Sequence, residues 1–223
     1  MDYNTKVIGR INKYIRFHFI IPKMKKKLIN RNFTILCNNC IGGIIYHDFD
    51  LQFKSPTINM FFHSLDFLEY IEHFEYYQNL PLVKIDNPGY LDNASDYPVA
   101  VLKGNQEFKD LELHFLHYHS FKEAESAWKK RTKRIEQKKI FVIFSFVGMP
   151  FDKELYERCE ALPFKNKVFF VNHSVDTDVF PHFYYIKGFE NQTGLGNIMT
   201  YMNIKGQRFY DQYDFVKWFN EGV

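Results

Sequence analysis

The chain has 223 residues, is 46% hydrophobic and 19% aromatic, and carries three cysteines and a net charge of +3. Such a composition buries enough apolar surface for one sizeable core, which excludes a largely disordered protein, and the odd, low cysteine count excludes a disulfide framework and favours a reducing compartment. No run approaches the roughly 20 apolar residues of a membrane span, and the start lacks a compact apolar signal segment, so a cytoplasmic protein is expected.

Residues 1–31 hold nine Lys and Arg against one acid, Asp2, a local charge of +8 that leaves −5 on the remaining chain. Val7, Ile8, Ile11, Tyr14, Ile15 and Phe19 recur at helical spacing between the basic residues, which predicts a basic amphipathic leader helix ended by Pro22. Such a helix either lies on an anionic inner-leaflet surface or docks on its own domain with its charged side in water. Nucleic acid is disfavoured, because the aromatic residues fall on the apolar face rather than between the basic ones.

From Phe33, strand and helix patterns alternate. Strands are predicted at 33–37, 82–86, 97–103, 111–118, 139–147, 167–173, 183–188 and 199–204, with helices at 64–78, 120–136, 152–161 and 213–220. This alternation argues for an α/β fold: a single domain over 32–223 with a mixed, mostly parallel sheet and helices on both faces. The segment "NPGYLDNASD" (Asn87–Asp96) is a loop of the kind that can cover a site.

Cys37 and Cys40 form a C-x-x-C. A redox pair or zinc is poorly supported, because Gly42-Gly43 and an extended-looking Ile44–His47 offer no helix N-terminus, and Cys159 lies within a predicted helix. Cys40 then sits at a loop apex with Asn38 and Asn39, as a nucleophile or beside amides that grip a polar substrate; the plain alternative is a Gly-Gly turn. In "LHFLHYHSF", strand alternation places His117 beside His119 and puts His114 and Tyr118 on the opposite face. Strand ends of an open α/β sheet collect ligands at their carboxyl edge, where Cys40, His117, Asn172 and His173 would converge if their strands are parallel neighbours. Arg131 falls on the apolar face of its helix with Trp128, which calls for an anionic ligand or an internal acid. "HDFD" (His47, Asp48, Asp50) offers a weaker cation site.

The ordered set "NNCIGG", "SPTINMFF", "YPVAVL", "LHFLHY", "SFKEAESAWKKRTKRI" and "ALPFKNKV" resembles an uncharacterised bacterial domain family often labelled exopolysaccharide (capsular polysaccharide) biosynthesis protein. The resemblance runs from about Arg31 to the end and places Asn38, Asn39, Cys40, Gly42, Gly43, Ser55, Pro56, His114, His117, Tyr118, Trp128, Arg131, Arg134 and Ile135 on the family's motif positions. Cys37 stands where that pattern has serine and Ile41 where it has tryptophan. The resemblance implies an α/β fold and a pathway, exopolysaccharide or capsule assembly, without assigning roles.

The expectation is therefore a peripheral cytoplasmic group-transfer enzyme acting on a sugar or lipid-linked sugar. Cys40 and His117 are its catalytic residues, no metal site is assigned, and the donor is a nucleotide sugar, an acyl donor or a lipid-linked sugar. Asn38, Asn39, Gly42, Gly43, His114, Tyr118, Arg131, Asn172 and His173 would hold the substrate. The alternatives are a membrane-surface scaffold for polysaccharide enzymes and a metal-dependent sugar-phosphate hydrolase using His47, Asp48 and Asp50.

Overall fold

The computed structural model describes residues 3–90 and 96–222; residues 91–95 of the predicted covering loop lie outside them. The N-terminal helix does not stop at Pro22. It runs as α1 (Lys6–Ile15), a π-helical turn (Arg16–Ile20) and α2 (Ile21–Lys27). Proline has no N–H to give to the preceding turn, and the chain widens just before it: the amide of Ile21 reaches the carbonyl of Arg16, five residues back.

After the leader come β1 (Thr34–Cys37), α3 (Ile41–Asp48), β2 (Phe61–Phe62), α4 (Ser64–Glu72), α5 (Phe74–Tyr77), β3 (Leu82–Ile85), β4 (Val99–Leu102) and β5 (Leu111–His114). The second half adds α6 (Phe121–Thr132), β6 (Ile140–Ser145), α7 (Lys153–Ala161), β7 (Asn166–Val171), β8 (Phe183–Tyr185) and α8 (Phe215–Glu221). Among the described residues, the predicted single mixed sheet is corrected to two four-stranded sheets, ordered β1-β6-β7-β8 and β2-β5-β4-β3. Every pairing in the first is parallel and every pairing in the second antiparallel. The strand expected at 199–204 is reduced to one bridge, Tyr201 with Arg208.

The parallel sheet is buried on both faces, as its unbroken apolar strands require. Leu36, Val142, Phe144 and Phe169 point into a core shared with the antiparallel sheet and helices α4, α6 and α7. Ile35, Phe141, Ile143, Val168 and Phe170 point the other way, against α3 and α8.

Strand β1 is an edge, and its outward amides are covered by hydroxyls: Ile35 N–H donates to Tyr46 Oη at 2.9 Å and Cys37 N–H to Thr57 Oγ1 at 3.1 Å. The Ser-Pro motif serves this covering, since Ser55 Oγ accepts from the Thr57 amide and contacts the Thr57 hydroxyl. The two sheets meet just beyond β1, where Phe62 N–H of β2 donates to Asn38 O at 3.0 Å.

Candidate functional site

The chain leaves β1 at Cys37 and turns through Asn38 and Asn39. Asn38 is buried, and its side chain extends the β1–β6 ladder by one rung: Nδ2 donates to Ser145 O at 2.9 Å and Oδ1 accepts from Ser145 N at 3.1 Å. Asn39 Oδ1 accepts from Ile41 N at 3.0 Å, and the Cys37 thiol donates to Asn39 O at 2.9 Å. The extended Ile44–His47 is corrected: α3 begins at Ile41, with Cys40 at its N-cap. Gly42 and Gly43 are the first turn of that helix. A Cβ on Gly42 would lie 2.7 Å from Cys37 Sγ, and one on Gly43 would lie 3.3 Å from Ile58. Each glycine costs a helix about 1 kcal/mol relative to alanine. Close seating of α3 on β1, with Ile41, Ile45 and Tyr46 buried, outweighs that cost.

The strand carrying the histidines is shorter than its pattern. It ends at His114, and Phe115–Tyr118 form a turn in which Tyr118 N–H donates to Phe115 O at 3.0 Å. Strand alternation therefore does not set His117 beside His119. The turn instead brings the His117 ring to Cys40, with Nε2 3.4 Å from Sγ. The two residues come from different sheets rather than from parallel neighbours. His117 N–H donates to Asn59 O at 3.4 Å, and Asn59 adopts a left-handed φ of 64°.

Tyr118 and Arg131 hold the same segment from below. Tyr118 Oη donates to Ile58 O at 3.1 Å and Arg131 Nη1 to Ile58 O at 3.0 Å; Arg131 also donates to Tyr118 Oη. The Arg131 guanidinium lies 5.1 Å from the centre of the Phe53 ring. Among the described residues no acid pairs with it, and its donors support the loop beneath His117.

Asn38, Asn39, Cys40, His63, Leu116 and Asn197 line a cavity of about 380 Å³, within the usual range for a small-ligand site. His63 was not singled out from sequence. The signal was there, since it ends β2 and enters α4 just as His117 stands between β5 and α6. Its ring stacks on Tyr90 at 3.8 Å, and among the described residues Nε2 is buried without a hydrogen bond. His114 is fully buried, stacked on Phe61 at 4.5 Å. Its Nε2 lies 2.9 Å from Glu112 Oε1 but is not aligned for a hydrogen bond. Burial lowers the pKa of both His63 and His114, despite nearby carboxylates.

Asn172 and His173 stand at the end of β7, separated from β1 by β6. Asn172 Nδ2 is committed to the carbonyls of Phe189 and Gln192, and His173 to contacts with Tyr156 and Asn172. Neither lines the cavity.

The cysteines differ in character. Burial pushes the Cys37 thiol up to about 12, so it stays protonated and packs. Burial also raises Cys40. The N-terminus of α3 favours a thiolate, but the Ile41 amide is already bonded to Asn39. Desolvation is the larger effect at Cys40, and its proton needs a base. His117 is placed to be that base.

His47 Nδ1 lies 3.7 Å from Asp48 Oδ1, and both line one depression with Asp50, but the ligand atoms of the three do not converge closely enough for a metal. Asp48 accepts from Arg16 at 2.7 Å, while exposed Asp50 lies 3.9 Å from Lys25. Among the described residues, Glu69, Glu72 and His73 have ligand atoms close enough for a metal, and Glu72 is already bonded to Arg158. A larger depression of about 620 Å³, lined by residues such as Lys23, Lys27, Tyr213 and Asp214, contains no cysteine or histidine. The smaller cavity, by contrast, has Cys40 and His63 in its lining. Among the described residues, no helix is long and apolar enough to cross a membrane.

The model of a domain of unknown function, DUF1919, matches residues 10–220. A relative from Haemophilus influenzae, named only as an uncharacterized protein, is 36% identical over 220 residues and is covered, like this chain, to 99%. The family match spans the Cys40 loop, the His117 turn and the helices that support them, and on that basis the chain belongs to the DUF1919 family.

Proposed function

We propose that this protein is a group-transfer enzyme that carries an acyl group on the Cys40 sulfur and delivers it to a hydroxyl-bearing acceptor, a sugar or lipid-linked sugar of exopolysaccharide or capsule assembly. The observation that carries the reading is the Cys40 Sγ to His117 Nε2 distance of 3.4 Å, with Cys40, though not His117, on the wall of a cavity of about 380 Å³. A thiol kept protonated by burial and held beside an imidazole suits general-base activation at the moment of attack.

In the first half-reaction His117 Nε2 takes the Cys40 proton as sulfur attacks the carbonyl of an activated acyl donor. A carbon–sulfur bond forms, and the donor's leaving group departs with the proton from His117. In the second, His117 takes the proton of an acceptor hydroxyl as its oxygen attacks the thioester, and returns that proton to the departing sulfur. Asn39, whose Oδ1 is engaged by Ile41, keeps its amide nitrogen to donate to a polar acceptor. The pathway assignment rests on the motif resemblance, and asparagine-lined apolar cavities suit hydroxyl-rich ligands.

The test is intact-mass analysis after incubation with a panel of acyl-coenzyme A donors, paired with thermal unfolding. An acyl adduct that maps to Cys40, disappears in Cys40→Ser and slows in His117→Ala supports the reading. A donor at about 100 times its dissociation constant would also stabilise the fold by roughly 2.7 kcal/mol. Absence of both adduct and stabilisation across the panel, or an adduct that persists in Cys40→Ser, rejects it.

A further inference from the structure

The N-terminal helix is docked by its polar side. Asn12 and Arg16 are 0% and 1% exposed, whereas Val7, Ile11 and Tyr14 are 68%, 50% and 61% exposed. The docked side is closely fitted. Asn12 Oδ1 accepts from Gly206 N at 2.9 Å, and the Arg16 guanidinium donates to Asp48, Asp211, Tyr210 and Gly206. Gly206 has φ of 74°, and a Cβ there would stand 2.9 Å from the helix backbone. The helix therefore does not need its apolar stripe to stay on the body.

Val7, Ile11 and Tyr14 lie four and three residues apart and form one exposed stripe. Lys6, Arg10 and Lys13 accompany it, and exposed Lys23, Lys26 and Lys27 extend the positive charge along α2. Among the described residues, none of these six has a carboxylate within ion-pair distance, and residues 3–31 contain no acid. An apolar stripe bordered by unpaired cations matches a surface that is negative outside and apolar within. Tyrosine is suited to such a boundary, with an apolar ring and a polar tip.

We infer that this face seats the protein on an anionic phospholipid surface, with Val7, Ile11 and Tyr14 entering the boundary between headgroups and acyl chains and the basic residues meeting the phosphates. The inference does not depend on the Cys40–His117 reading. Its experiment is co-sedimentation of the full chain with phosphatidylcholine vesicles, with and without phosphatidylserine, at low and high salt. Wild type is compared with a Val7→Asp/Ile11→Asp variant and a Lys6→Gln/Arg10→Gln/Lys13→Gln variant.

All the substituted side chains are exposed, and circular dichroism checks that each variant is folded. The expected result is binding that needs phosphatidylserine, weakens with salt, and falls about tenfold or more in each variant. No binding to phosphatidylserine vesicles, equal binding to phosphatidylcholine alone, or undiminished binding by the aspartate variant overturns the inference. A dimer that dissociates in the aspartate variant without any vesicle binding likewise overturns it and assigns the face to a second copy of the chain.

Discussion

A thiol whose pKa is raised by burial gives up its proton at higher pH than a solvated one, whose value is about 8.5. Alkylation of native Cys40 by iodoacetamide is therefore expected to climb only above the ordinary thiol range, while Cys37, pushed up to about 12, stays unlabelled until unfolding. Peptide mapping of the label across a pH series checks both. If His117 is the base, His117→Ala is expected to lower turnover about 10²–10⁴-fold at neutral pH without lowering the melting temperature, because its ring is exposed. Gly42→Ala belongs to the same scale. The new methyl meets Cys37 Sγ at 2.7 Å, and the sulfur is tied to Asn39 O, so overpacking is expected to cost about 1–3 kcal/mol in urea unfolding. The position of Cys40 and His117 just past strand ends was legible because each follows an apolar strand pattern; their proximity was not, because their strands belong to different sheets. Gly42 was misread because a glycine pair signals a turn locally, and nothing in the local sequence reports that a strand passes beneath it.

At the scale of elements, Arg16 anchors the leader helix. Its guanidinium donates to Asp48 at 2.7 Å on one side and lies against Asp211 on the other, so one side chain ties the helix to the end of α3 and to the segment before α8. Arg16→Met is expected to destabilise the protein by about 3–5 kcal/mol, because it leaves buried carboxylates unpaired. Hydrogen exchange should show residues 6–27 losing protection first. Equal protection across the chain in that variant would show that the helix is held by other contacts. The pattern of the leader predicted a helix, but it could not say which side faces the protein. The apolar face is the usual choice, and here the partners that reverse it, Asp48, Gly206, Tyr210 and Asp211, come from distant parts of the chain. Pro22 misled for a related reason: a proline ends an ideal helix, whereas a wider preceding turn lets this one continue.

Across the whole molecule, the division into two sheets was the least visible feature. Individual strands such as β1, β6 and β7 carry their own apolar signatures. The partition depends on which edges pair, and β2, whose Phe62 joins Asn38 to the second sheet, is two residues long. Asn38 thus holds the junction: its carbonyl takes the β2 amide and its side chain takes both polar groups of Ser145. Asn38→Ala keeps the first link and removes the second. It leaves the buried Ser145 amide without its partner, at about 1–3 kcal/mol, while the Ser145 carbonyl keeps the Val147 amide at 2.9 Å. The consequence reaches the cavity, because the released loop carries Cys40, and a displacement of about 1 Å at a reacting group can cost on the order of 10²-fold in rate. Asn38→Ala is therefore expected to lower the urea midpoint and, in the still-folded protein, to speed Cys40 alkylation at neutral pH as the thiol gains solvent and its pKa falls back toward the ordinary value. A lower midpoint with unchanged alkylation would mean that the sheet junction and the Cys40 loop are held independently.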